Sequence, residues 1–231
     1  MNGFRYFLLG LAVTFGLPWY VMVVRPYVAI SQLEPVAYNP DVDDAEGTFP
    51  GGGGAGREMG RAVYKREGCV NCHTQVIRPQ YASGDGDGFK QAFGKTAGEG
   101  AVEYTRETTP YDFIGDDVAL IGQVRNGPDL SNIGFRQPDE NWHYRHLYNP
   151  QGVNSWSTMP GQRHLFNRRV VQGAPSDNAV LITLEDGITT EVVPTSDAEA
   201  LVDYLLTLKH QEPVPASLSK GGAPAGGGDQ G

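Results

Sequence analysis

The apolar positions change their spacing several times along the chain. Residues 6–24 read YFLLGLAVTFGLPWYVMVV, 19 positions without a charge. A helix of that length covers about 28 Å, close to the hydrocarbon thickness of a bilayer. Arg5 and Arg25 bracket the run, and Tyr6, Trp19, Tyr20 and Tyr27 lie towards its ends, where amphipathic rings prefer to sit. Pro18 lies inside it, which membrane helices tolerate better than soluble ones. The pattern predicts an uncleaved transmembrane anchor over residues 1–25. A cleaved signal peptide has a shorter apolar core, about 7–15 residues, followed by small residues at its cleavage site. The only weak site of that kind is Ala29-Ile30-Ser31.

Beyond residue 56 the spacing becomes that of a globular head. Met59, Ala62, Val63 and Arg66 follow a helical period, Gly60 and Tyr64 lie four apart, and Gly68 stops the helix. Pro138-Asp139-Glu140-Asn141 followed by WHYRHLYN predicts a short helix ended by Pro150. Residues 179–184 and 188–193 are β-like runs about the turn Glu185-Asp186-Gly187, a possible small hairpin. Ser196-x-x-Glu199 has the capping-box pattern. Behind it, Ala198, Leu201, Val202, Leu205 and Leu208 form one apolar face and predict the last helix.

Between these elements, residues 26–46 read as irregular and 47–56 (GTFPGGGGAG) as a flexible tether. Residues 80–120, rich in Gly, Asp and Thr, read as a long loop insertion; such loops are usually functional or touch a partner. After Gln211 the composition is that of a disordered tail. There is no internal repeat. The expected organisation is an anchor (1–25), a Gly-rich linker (26–56), a head (57–211, insertion about 80–124) and a tail (212–231). The expected fold class is mainly α.

Composition narrows the function. The 31 glycines and 16 prolines gather in linker and tail, so the packed head is smaller than the 231-residue chain. A net charge of −9 argues against a nucleic-acid partner, which would call for a basic face. Two cysteines are too few for a disulfide-stapled domain.

Those two cysteines carry the chemistry. Cys69-Val70-Asn71-Cys72-His73 is C-x-x-C-H. Two thiols at that spacing can add across the two vinyl groups of a haem, which leaves the adjacent histidine beneath the iron. A thioredoxin-like redox pair would want a βαβ context, and a zinc site a second ligand pair; neither is present. The motif predicts one covalently bound haem c. Covalent attachment takes place outside the bacterial inner membrane, so the head is expected in the periplasm. Charge does not set the orientation, since one arginine flanks each side of the span.

A six-coordinate haem needs a distal ligand. Met159, in Ser157-Thr158-Met159-Pro160, is the best candidate: Met1 starts the chain, Met22 lies in the span, and Met59 falls too close before the motif. His143, His146 and His164 are the alternatives, the first two three apart on one helix face and so also a possible metal pair. Gly127-Pro128-Asp129-Leu130 suits a turn passing its backbone close to the haem edge, or an ordinary turn. Arg78, before Pro79, could pair with a haem propionate or a partner carboxylate, or be merely solvated.

The segment REGCVNCHTQVIRP (66–79) resembles the haem motif of the mono-haem cytochrome c subunit (subunit II) of cbb3-type cytochrome c oxidases, typically R-E-G-C-x-N-C-H-[ST]-Q-x-I-R-P. GPDLSNIGFR, WHYRHLYNP and TMP then follow in the order of that family's G-P-D-L, W-H-x-x-H-L-x-N-P and M-P. The resemblance covers roughly residues 57–165 and the anchor. It implies a class I cytochrome c fold, attachment at Cys69 and Cys72, axial ligands His73 and Met159, and a metal centre of iron only. It also implies a non-catalytic role: electrons arrive from a cytochrome c donor subunit or a soluble cytochrome c and pass to the haem–copper catalytic subunit, with the anchor in the lipid bilayer. Residues 81–124 have no counterpart in the pattern, the helix start at 138–142 carries one extra residue, and linker and tail are atypical. The rival readings are a free-standing tethered electron shuttle, favoured by residues 47–56, the haem c subunit of a nitric-oxide reductase, and a haem sensor or peroxidase.

Overall fold

The computed structural model describes residues 2–51, 56–78, 106–171, 173–175, 179–183 and 189–218. Pro79, the glycines at 52–54, most of the expected insertion, the hairpin turn 184–188 and the tail from 219 lie outside the described residues.

The N-terminal helix α1 (Gly3–Ser31) is long and apolar enough to cross a membrane, and none of it is buried inside the protein. It runs past the charge-free stretch through Arg25–Ser31, where irregular chain was expected. Two π-helical turns interrupt it, Ala12–Gly16 and Tyr20–Val24. Each lies just before a proline, Pro18 and Pro26. A proline ring crowds the carbonyl four residues earlier, here Thr14 and Met22, and a wider turn makes room for it.

The head is mainly α. Its first helix, α2 (Gly56–Arg66), packs against its last, α7 (Ser196–Thr207). They meet at Gly60, where an added Cβ would come within 2.0 Å of the Ala200 carbonyl oxygen and 2.4 Å of Tyr204 Cβ. Only glycine permits that approach. Tyr64 and Tyr204 stack edge-on at 5.9 Å beside it, and Val63, Leu201 and Leu205 complete the contact. The cap of α7 is Thr195, one residue before the expected serine: its hydroxyl accepts from Ala198 N and donates to Leu165 O.

The short helix α3 (Cys69–Cys72) follows α2. After it come α4 (Ile133–Arg136), α5 (Glu140–Tyr148) and α6 (Pro150–Val153). The Asp139 side chain caps α5 by accepting from Asn141 N at 3.0 Å. Pro150 both ends α5 and opens α6, at a first-turn position where its missing N–H costs nothing. The expected hairpin pairs β4 (Val180–Thr183) with β5 (Thr189–Pro194). A further strand, β3 (Phe166–Val170), lies on the other side of β5, giving the order β3-β5-β4. Only Phe166 of that strand is buried, so it carries little alternation to read.

The segment expected to be tether and tail differs most. The first two strands, β1 (Val36–Ala37) and β2 (Thr48–Phe49), pair antiparallel, and Phe49 is fully buried. Phe49 packs on Tyr38 and Tyr111, with the Arg106 guanidinium 4.8 Å over its ring. Residues 212–218 fold onto this patch, with Pro215 fully buried. The apolar Phe49 inside the glycine-rich run is what draws the chain in.

His210 is buried at the edge of this patch, 3.8 Å from Asp112. Burial pushes its imidazole down to about 4, and the Arg106 cation adds to this; Asp112 and the Glu107 backbone pull the other way. The folded head therefore holds this proton less tightly than the unfolded chain. Stability is unaffected above about pH 6.5 and falls as pH drops towards about 4. We expect unfolding measured from pH 7 to 4 to lose on the order of 3 kcal/mol through this group. His210→Gln should flatten that part of the profile; equal slopes in both proteins would refute the assignment.

Candidate haem site

A cavity of about 830 Å³ opens between α2, α3, the turn at 126–130, α5 and the loop 154–160. Its size is that of a cofactor site, which runs from about 300 to 1,000 Å³. Cys69, Cys72, His73, Gly127, Pro128 and Met159 line it, and so do the alternative ligands His143 and His146. Arg78 does not; it is exposed, outside the lining.

Gly68 has φ +74°, a left-handed turn that breaks the chain between α2 and α3. One turn of helix then sets both thiols on the cavity wall, and His73 leaves it in extended conformation. The two cysteines form no disulfide. Burial pushes the Cys69 thiol up to about 11. An activated redox pair shows the opposite shift.

His73 is fixed by backbone. Its Nδ1 lies 2.9 Å from Pro128 O and so donates to it. This tautomer leaves the lone pair on Nε2, the atom a metal would take, and the carbonyl orients the ring. Burial pulls its pKa down, which favours the neutral form. Gly127 makes the contact possible: a Cβ there would lie 2.2 Å from His73 Cε1.

Met159 sits on the loop after α6, half-buried against the core. The Gln151 side chain donates to Met159 O at 2.8 Å and to Ser157 O at 3.1 Å, and Met159 N donates to Ser157 Oγ. These bonds hold the loop at the cavity mouth. Among the alternative ligands, His164 is exposed and pairs with Glu67 at 2.6 Å. His143 is buried and its Nε2 donates to Gln137 O at 2.8 Å. His146 stacks on Trp142 at 4.7 Å, and both line the cavity. Among the described residues no group of three or more His, Cys, Asp or Glu gathers into a metal site.

One residue of the wall went unread in the sequence. Arg136 projects into it: its Nη2 donates to Asp129 O, while its Nε is buried without a partner. His146 Nδ1 is likewise buried without a partner. Two orphaned ring and guanidinium nitrogens on one apolar wall, with two thiols and a pre-oriented imidazole, fit a haem, whose edge carries carboxylates. Arg136 stands at the end of GPDLSNIGFR, yet nothing in its spacing says that it turns inward.

A family model described as cytochrome c oxidase, mono-heme subunit/FixO, matches residues 53–185. The chain belongs to this family of mono-haem cytochrome c oxidase subunits. Comparison with curated proteins finds no match. The family implies one haem, and the crossing of α2 and α7 agrees with the helical head expected of it.

Gly127→Ala tests the His73 contact. The added methyl must displace the imidazole or the turn, an overpacking of about 1–3 kcal/mol. We expect haem content, read by absorbance per protein, to fall several-fold. Haem content unchanged would mean that the turn does not position His73.

Proposed function

We propose that this chain is the membrane-anchored mono-haem subunit of a cbb3-type oxidase. It takes electrons from a cytochrome c donor subunit or a soluble cytochrome c and passes them to the haem–copper catalytic subunit. The observation that carries the reading is the convergence of Cys69, Cys72, His73 and Met159 on one cavity, from positions up to 90 residues apart. Cys69 and Cys72 would attach the haem, and His73 Nε2 and the Met159 thioether would hold its iron. Haem bound there supplies one-electron chemistry at its iron. Pro128 O keeps His73 in the required tautomer, and Gln151 holds the Met159 loop. Arg136 and His146 offer N–H groups to the haem carboxylates. A thioether ligand favours the ferrous state and raises the potential, which suits a relay on the way to oxygen. The chain itself binds no oxygen and moves no substrate proton. α1 is the anchor, and the attachment chemistry of the motif supports a periplasmic head.

Capture of the tagged full chain from gently solubilised membranes tests this. We expect cyanide-sensitive, cytochrome-c-driven oxygen uptake and a co-purified multi-span subunit with b-type haem. A lone haem protein without uptake, after controls for detergent stripping, would leave the tethered shuttle instead. Met159→Ala should lower the midpoint potential by a sizeable part of the roughly 0.8 V that axial ligands span, and let carbon monoxide bind the reduced haem. An unchanged potential and spectrum would remove Met159 as ligand and turn attention to His146.

A further inference from the structure

Helix α1 ends at Ser31, and the strand Val36–Ala37 begins after four intervening residues. From there the chain is pinned to the head at several points. Tyr38 Oη donates to Pro213 O at 2.8 Å, Ala216 N to Asp43 Oδ1 at 2.8 Å, and Gly51 N to Glu212 Oε2 at 3.0 Å. Buried Phe49 sits under Arg106. Arg106 forks onto Asp112 at 2.8 and 2.6 Å and donates from Nε to Glu212 O at 2.7 Å. This patch is bonded in turn to the haem motif: Thr108 N donates to Ile77 O, and Ile77 N to Thr108 Oγ1, four residues after His73. On its other side His210 N donates to Asn132 Oδ1, just beyond the turn that holds His73.

We infer that residues 36–51 form a strap that fixes the head close to the membrane end of α1, with Phe49 and Arg106 as positioning residues for electron transfer. The inference rests on the haem-subunit reading above. The free leash is then residues 32–35, at most about 14 Å of chain. Released, it would be residues 32–55, up to about 80 Å. The glycine run joins two parts of the head, Gly51 and α2; it does not tether the head to its anchor. Electron tunnelling falls steeply with distance, so a head held at one height delivers to a fixed acceptor, whereas a released head must search for it. The strap sets the geometry and leaves the iron's ligands alone.

The test uses the full haem-loaded chain in its native assembly, spin-labelled at Gln32→Cys and Asn167→Cys. We expect one narrow distance distribution. Phe49→Ala and Arg106→Gln should broaden it, leave the haem spectrum and midpoint potential unchanged, and lower oxygen uptake several-fold, with Arg106→Lys restoring part of both. A Gly/Ser insertion of ten residues after Glu34 leaves the strap intact and should also lower uptake. A broad distribution in the unaltered protein, or one that stays narrow in a folded Phe49→Ala head, overturns the strap. Uptake indifferent to the insertion overturns its role in electron transfer. A narrow distribution in a chain that supports no oxygen uptake at all would instead defeat the oxidase reading and leave the strap standing.

Discussion

Three hydrogen bonds stitch residues 127–130 to residues 72–74. Gly127 N donates to Cys72 O at 3.1 Å, His73 Nδ1 to Pro128 O at 2.9 Å, and Leu130 N to Thr74 O at 2.9 Å. The His73 ring can lie that close to the turn only because position 127 has no side chain. The stitch decides the ring orientation of His73, and it also decides where α4 starts. From α4 the backbone reaches α7, where Gly134 N donates to Leu208 O at 3.0 Å. The haem motif, the turn and the closing helix are thus one bonded unit, framed by the close crossing at Gly60.

That unit has a second bonded edge. Ile77, buried four residues after His73, exchanges hydrogen bonds with Thr108, and Arg106 beside it ties in Asp112 and Phe49. Net contributions of single hydrogen bonds are only about 1 kcal/mol each. A fully buried phenylalanine contributes roughly 1.5–3 kcal/mol. The patch around Phe49 therefore holds mainly by apolar burial, and its polar bonds set direction and register.

Much of this was legible in the chain's own pattern. Helical spacing with a stop signal gave α2, the acidic cap and Pro150 bounded α5, and an apolar face behind a cap gave α7. C-x-x-C-H marked the candidate site, and the scarcity of methionines pointed to Met159, which lines the same cavity. What escaped was non-local. Phe49 lies in a glycine-rich run whose composition says tether; only Tyr38, Tyr111 and Arg106, distant in sequence, make it core. β3 is an exposed strand with one buried residue and draws its order from β5. Arg78 was the arginine that proximity to the motif favoured, yet Arg136, 63 residues beyond His73, reaches the cavity. Sequence distance carries no information on which cation a turn delivers inward.

The arginines of the head separate into two kinds, and the contrast bears on what the cavity is for. Arg61 is buried, and its guanidinium meets Asp116 and Asp117; Arg106 is nearly as enclosed and forks onto Asp112. Each has a carboxylate partner within the protein, although Arg61 Nε makes no hydrogen bond. Arg136 is desolvated too, which pulls its pKa down, and Asp129 nearby is pushed up by burial. Each favours charge on the other, but less than burial disfavours it, and among the described residues no carboxylate oxygen comes within ion-pair distance of Arg136. Its Nη2 has a neutral carbonyl, and its Nε has nothing. Arg136 is half-buried, and holding a guanidinium there without a carboxylate partner is costly, where a fold that merely needed to fill that volume would place an apolar side chain. A guanidinium on an apolar wall, beside a pre-oriented imidazole and a pair of thiols, suits an anionic group that arrives from outside the chain. The carboxylates of a haem are that kind of group, so the electrostatics of Arg136 agree with what the cysteine motif implies.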